Sequence, residues 1–321
     1  MLTYVGRRIL FSIPVLVIAS FLLFGFVRAT FDPTARLRSS RDPQTIQRAR
    51  DELGLDKPLV IQYRDWATDF VRGDWGKSSR TNERVTAMIR RSLWATIQLI
   101  VWGVLISAII AIAVGVYSAV RQYSIGDYLL TGASFAGLSM PPFWFGLIAI
   151  QFLAIYPRGW FNLAHPWFYF VGLHSTGSHS IGDYIRHLVL PVMTLTVQIV
   201  ASWSRYERAA MLDALSADYV RTAKAKGLPP HKVIFRHAFR NALVPLVTVI
   251  ALDAGALFGG LLITEKIFSV PGMGSLFLNS LLTGDAPVLV AWTVVTASFI
   301  IAFNLLADVL YGVLDPRIRY S

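Results

Sequence analysis

The chain has no cysteine, which removes disulfide frameworks, thiolate metal centres and a cysteine nucleophile, and leaves the redox compartment open. Charge is scarce too. Only 15% of the 321 residues are Asp, Glu, Lys or Arg, against about a quarter in soluble domains. Hydrophobic residues make up 55% and mean hydropathy is +0.53, the balance of an integral membrane protein. Catalytic signatures are also missing: no His-Glu-x-x-His pair, no Gly-x-Ser-x-Gly elbow, no calcium loop. The segment Gly73-Asp-Trp-Gly76-Lys77-Ser78 ends like a phosphate-cradling loop, but Val71 stands where the first glycine belongs, and it reads as a turn. The chain alone is therefore not expected to be an enzyme. A polytopic chain without catalytic motifs is a transporter or channel component, driven by an ion gradient or by a partner. No inverted repeat relates its halves, which weakens the gradient-driven, secondary-transporter reading.

The apolar runs give an all-α polytopic fold with six spans: Ile9 to Val27, Leu93 to Val120, Tyr128 to Tyr156, Leu188 to Ser204, Leu243 to Ile263 and Pro287 to Leu314. The first run is nineteen residues long and no small-x-small cleavage site follows it before Arg28, so it reads as a retained span rather than a signal peptide. The expected organisation is 1–27 as cytoplasmic N-terminus and first helix, 28–92 as an external subdomain, 93–314 as a five-helix core holding a cytoplasmic loop at 205–242, and 315–321 as a cytoplasmic tail. The external subdomain carries turn signals at Asp32-Pro33, Asp42-Pro43 and Gly73-Asp74, and helices over Pro43 to Leu53 and Leu59 to Arg72. Gly103, Gly115, Gly255 and Gly259 are close-packing points.

The net charge of +11 follows this topology rather than nucleic acid. The inner segments collect Arg7, Arg8, Arg121, Arg205, Arg208, Arg221, Lys224, Lys226, Lys232, Arg236, Arg240, Arg317 and Arg319. The two short outer loops hold only Arg158, Arg186 and Lys266. Trp160, Phe161, Trp167, Phe168 and Tyr169 suit a membrane interface. His165, His174, His179 and His187 with Asp183 fall in an irregular loop without an i, i+4 register, so solvated or capping roles outweigh a metal site.

Two features within the spans invite a pathway reading. Met140-Pro141-Pro142-Phe143 must bend or break the third span, as a packing kink or where the backbone lines a wet cavity. Asp253 lies at membrane depth, where a carboxylate needs a function or a polar neighbour in the bundle. Met140, Pro141 and Asp253 are the candidate pathway residues.

The most distinctive stretch is Asp218-Tyr-Val-Arg-Thr-Ala-Lys-Ala-Lys-Gly-Leu228 in the inner loop. Asp218 at the start and Lys224 and Lys226 at the end complement the dipole of a short helix over Ala217 to Lys226, Gly227 supplies a left-handed stop, and Pro229-Pro230 blocks continuation. Tyr219, Val220 and Ala223 fall on one side and Arg221 and Lys224 on the other. The plain alternative is a solvated, positively charged inner loop.

This stretch closely resembles the coupling segment of the membrane-spanning permease subunits of ABC importers, in the dipeptide/oligopeptide branch. Ala223 and Gly227 match that family's Glu-Ala-Ala-x-x-x-Gly pattern, whereas Arg221 and Thr222 depart from its general form and follow the peptide variant. Further matches run in order through Leu53-Gly-Leu-Asp-Lys-Pro-Leu59, Gly73-Asp-Trp-Gly76, His237-Ala-Phe-Arg-Asn-Ala-Leu243, Pro271-Gly-Met-Gly274, Asn304-Leu-Leu-Ala-Asp308 and Leu314-Asp-Pro-Arg-Ile-Arg319. Phe31-Asp-Pro33 departs from the Pro-Gly-Asp-Pro that relatives often carry. The resemblance implies a type I importer permease in a bacterial or archaeal plasma membrane, with both termini in the cytoplasm. Its implied partners are a second homologous permease, two ABC ATPase subunits or domains that bind ATP and magnesium, an external solute-binding protein, the lipid bilayer and a di- or oligopeptide substrate. No cofactor is implied in this chain. The implied ATPase-docking residues are Tyr219, Arg221, Thr222, Ala223, Lys224, Ala225, Gly227 and Leu228. Nickel, glutathione and oligosaccharide importers of the same class are the alternatives.

Overall fold

The computed structural model describes residues 2–31, 44, 47, 51, 54–178, 180–259 and 261–314. The turns at Asp32-Pro33 and Asp42-Pro43, most of the expected helix over Pro43 to Leu53, His179 and the tail at 315–321 lie outside the described residues. The regular structure of the described residues is helical, apart from one isolated bridge between Lys77 and Arg84, and irregular segments run at 72–84 and 161–178.

Helix α1 (Leu2–Thr30) is followed by α2 (Leu59–Val71) and α3 (Val85–Val120). α3 begins before the expected Leu93, because Val85, Met88 and Ile89 recur at helical spacing and bury one face against Met273, Val288, Ala291 and Val295. The third span is broken: α4 (Ile125–Ser139) and α5 (Pro142–Trp160) meet at 103°. α5 contains a π-helical turn at Gln151–Ile155.

α6 (Ile181–Ser216) runs through Arg205, where the inner loop was expected to begin. Its buried stripe, Trp203, Glu207, Met211 and Ala214, continues at helical spacing among the charges and holds the helix together. α7 (Asp218–Ala225) is the short basic helix. α8 (Pro230–Leu257) contains a π-helical turn at Val233–Ala238 and stops before the expected Ile263. There Phe258 stacks on Phe299 at 4.6 Å, and the chain turns into α9 (Leu262–Ile267) and α10 (Met273–Thr283). α11 (Ala286–Leu314) ends the described chain. Five helices are long and apolar enough to cross a membrane, and the bent α4–α5 pair makes up to six.

α6 is the hub, packed on α3, α4, α5 and α8, while α11 packs on α8 and α1. Glycine sets the closest approaches. A Cβ on Gly115 would lie 2.6 Å from Cβ of Glu207 and 2.9 Å from the Ser204 carbonyl, and one on Gly255 would lie 2.8 Å from Cβ of Phe303. Each of α3 and α6 has 36 residues, about 54 Å at the usual helical rise. Both therefore overshoot a hydrocarbon core of about 30 Å.

The Gly73–Ser78 segment is a turn, with Gly73 and Gly76 at φ of 88° and 72°. It docks on the start of α11, where the Asp285 carboxylate accepts from the Ser78 hydroxyl and from the Ser79 N–H at 2.9 Å. An aromatic ladder ties α2 to α1: Phe24 meets Tyr63 and Trp66, and Phe70 stacks on Trp75 at 4.6 Å.

Candidate functional site

α7 is built to stay stiff. Its first-turn Asp218 receives the Thr222 hydroxyl on its carbonyl at 2.9 Å. At the other end the Gly227 N–H donates to the Lys224 carbonyl at 2.9 Å and the Leu228 N–H to the Ala223 carbonyl at 3.3 Å. This is the Schellman pattern, with Gly227 at φ 74°. The exposed Arg221–Asp218 pair at 3.4 Å adds little.

Val220 and Ala223 are buried against Met211 and Ala214 of α6, Val233, Ala238 and Ala242 of α8, and Ala119 of α3. The helix is thus fastened to α6 and α8, with Ala119 of α3 in the same cluster. Tyr219, Arg221, Thr222, Lys224, Ala225 and Gly227 are exposed and Leu228 is half-buried. Two expectations need correcting. Ala223 is 5% exposed and packs the chain's own core, because the small side chain lets α7 lie close on α6 and α8; it presents no outer surface. Tyr219 does not share the buried side with Val220, since a helix turns 100° between neighbours. Beside α7 a cleft of about 390 Å³ is lined by Val120, Leu215, Lys224, Leu228, Pro230, Val233 and Ile234.

Within the spans, α6 bonds two of the three pathway candidates, Met140 and Asp253. Gln198 donates to the Met140 carbonyl at 3.0 Å, satisfying backbone freed by the break at exposed Pro141. Five residues on, the fully buried Trp203 donates its indole N–H to Asp253 at 2.7 Å. Asp253 itself is exposed on the surface of this chain. Among the described residues no hydrogen bond joins Met140 or Pro141 to Asp253.

Three anchors escaped the sequence reading. Arg208 reaches 81 residues back to Asp127, with Nε and Nη2 at 3.0 and 2.9 Å from its two oxygens. Glu265, fully buried outside the spans, accepts the Thr96 hydroxyl at 2.7 Å and the Ser275 N–H at 2.8 Å. Burial pushes its carboxyl up, and those hydrogen bonds pull it back. The third anchor is a repeated cap. Ser124-Ile-Gly-Asp127-Tyr128 and Ser180-Ile-Gly-Asp183-Tyr184 each start a helix, the serine hydroxyl accepting from the aspartate N–H three residues on. The second copy corrects the loop reading of the histidines: Asp183 and His187 stand one helical turn apart, 3.6 Å between carboxylate and ring nitrogen. Asp183 is occupied by the Ser175 N–H and hydroxyl at 2.9 and 2.6 Å, which ties the preceding loop to the first turn of α6.

Five long apolar helices, with a further apolar pair bent by 103°, define a multi-span membrane protein. The chain belongs to the binding-protein-dependent transport system inner membrane component family, whose model matches residues 111–320; the model of the family's N-terminal region matches residues 1–100. It is similar to the oligopeptide transport system permease protein AppB of Bacillus subtilis, at 39% identity over the whole of both chains. The di/tripeptide transport system permease protein DppB of Pseudomonas aeruginosa is 36% identical over the same share. The glutathione transport system permease protein GsiC of Escherichia coli is also 36% identical over all of both chains. The family is one of transport permeases, not catalysts, set in the inner membrane.

Proposed function

We propose that this chain is the permease subunit of an ATP-driven importer of di- and oligopeptides, and that α7 is where force from a separate ATPase enters it. The observation that carries the reading is the fastening of α7 by Val220 and Ala223 to α6 and α8. A helix so attached moves as one body with its spans, and a difference in docking between two states of a partner becomes a difference in span tilt. ATP and magnesium belong to two ABC ATPase partners. A second homologous permease completes the pathway, which takes in Met140, Pro141 and Asp253, and a solute-binding protein delivers peptide outside. The 28–92 segment forms an external platform, and both termini are cytoplasmic.

The docking test uses exposed positions, so that folding is spared. Thr222→Trp and Ala225→Trp in the reconstituted transporter are expected to lower peptide-stimulated ATP hydrolysis and uptake at least tenfold while membrane insertion stays normal. Undiminished coupling would show that the partner docks elsewhere. The chain reconstituted alone is expected to give no uptake; gradient-driven uptake by it would favour a secondary transporter.

Orientation is checked separately. The chain lacks cysteine, so Lys77→Cys and His231→Cys can each be labelled singly, and an impermeant thiol reagent is expected to reach them from opposite sides of the membrane. Labelling from one side would refute the topology.

A further inference from the structure

Asp253 is a carboxylate held by one hydrogen bond and, among the described residues, by no ion pair. α8 carries it 14 residues beyond Phe239, about 21 Å along the axis at the usual rise, within a candidate span. Its neighbours Ala254 and Gly255 are buried, and Gly255 lies against Phe303 of α11. Asp253, Leu252 and Ala256 instead face outward. A carboxylate on that face does not sit against acyl chains, because the cost of an anion in hydrocarbon is several kcal/mol or more. The face therefore borders water or another chain.

The Trp203 indole donates to Oδ2 at 2.7 Å, and among the described residues no Lys, Arg or His forms an ion pair with Asp253. Trp203 is fully buried with Ala111 and Leu246, so the donor does not wander. One oxygen is fixed and the other is left for a visitor. The carboxylate is oriented before that visitor arrives, which lowers the ordering cost of a transient ligand. The group that complements a carboxylate is a cation, and the exposed residues beside it are the apolar Leu252 and the small Ala256. No group of three or more metal-ligating side chains occurs among the described residues, so the arrangement does not suit a coordinated metal ion.

We propose that Asp253 is the subsite that receives the N-terminal ammonium of the peptide as it passes through the membrane. This rests on the peptide-importer reading above. Trp203 is then a positioning residue and Leu252 faces the first side chain. The subsite prefers a free amine over a blocked one, independently of residue sequence, which suits a transporter that accepts many peptides.

The test uses the complete transporter with its partners, comparing uptake of a tripeptide with that of its N-acetyl form, in wild type and in Asp253→Asn. Asparagine keeps the shape and can still accept from Trp203. The binding protein's own preference cancels when the free-to-acetylated ratio of the variant is divided by that of the wild type. That quotient is expected to fall about tenfold, the ordinary worth of one charge-assisted hydrogen bond. Asp253→Glu is expected to restore part of it, and Trp203→Phe to lower it with the carboxylate intact. Equal losses for both peptides would mean a structural role, and unchanged uptake of both would mean no role. Failure of Asp253→Asn to co-purify with the second permease would assign the carboxylate to a cation of that chain instead. Each of these overturns the subsite. Absence of peptide uptake by the wild type would instead overturn the peptide-importer reading.

Discussion

Glu265→Ala is expected to destabilise the chain by on the order of 3 kcal/mol, read as a fall of several degrees in the thermal midpoint of the detergent-solubilised protein. The residue is fully buried and terminates a relay. The Met273 N–H donates to the Thr96 hydroxyl at 2.8 Å, that hydroxyl donates to Oε1 at 2.7 Å, and the Ser275 N–H reaches Oε2 at 2.8 Å. Removing the carboxylate leaves a hydroxyl and a backbone N–H without acceptors in a dry space, and adds a cavity. The relay joins α10 to α3, and the Trp292 indole, bonded to the Met273 carbonyl at 2.8 Å, extends it to α11. Glu265 itself stands on α9, so loss of one member loosens four elements together.

The neighbouring glycines make the same point by sterics. A Cβ on Gly272 would overlap the Glu265 carboxylate, and one on Gly274 would lie 2.7 Å from Cα of Leu262. Gly274→Ala, which must move backbone, is expected to match Glu265→Ala in its loss of stability, whereas Glu265→Gln retains an acceptor and falls between. A midpoint unchanged in Glu265→Ala would show that water or rearrangement replaces the lost acceptors and that the relay does not hold α10 in place.

Hydropathy made the spans legible because nothing else in a bilayer satisfies twenty consecutive apolar residues. Local chemistry made the end of α7 legible, since Gly227 and Pro229-Pro230 act within one turn of where they stand. The break at Met140 was legible for the same reason. Helix ends that depend on tertiary burial were not: α6 persists past Arg205 because Met211 and Ala214 pack into one buried cluster with Ala119 of α3 and Val220 and Ala223 of α7, and a reading that stops at the first charges cannot see them. The inner side of α7 was assigned to a partner protein when it belongs to this chain, because amphipathicity says that a face is buried without saying by what. Ala223 is the residue that changed sides. The repeated Ser-Ile-Gly-Asp-Tyr signal was present in the sequence and passed unread, although it marks the true starts of α4 and α6. The Arg208–Asp127 pair left no local sign, being formed by elements 81 residues apart.

Arg208→Ala is expected to have the second large effect, and on coupling more than on insertion. Asp127 is 2% exposed, and its oxygens take four donors: Nε and Nη2 of Arg208, the Tyr123 N–H at 3.0 Å and the Thr131 hydroxyl at 3.2 Å. Removing the guanidinium leaves a buried anion with its two neutral donors only, at a cost on the order of 3 kcal/mol. Arg208→Lys is expected to recover less than half, because an ammonium cannot span both oxygens. The pair joins the first turn of α4 to α6 two turns above α7, and on the coupling role proposed for α7 it is expected to carry movement of α7 to the broken span. Without it α7 is expected to dock as before, with α4 no longer following. Uptake is therefore expected to fall severalfold while ATP hydrolysis by the partners continues, a different signature from Thr222→Trp, in which both fall. Asp127→Asn combined with Arg208→Gln separates geometry from charge. If this neutral pair restores uptake, a hydrogen-bonded link is sufficient, whereas a double variant no better than either single one shows that the paired charges are required. Full uptake in Arg208→Ala would mean that α4 takes its movement from another contact with α6, the most direct being the Ser134–Ser204 hydroxyl pair at 3.2 Å.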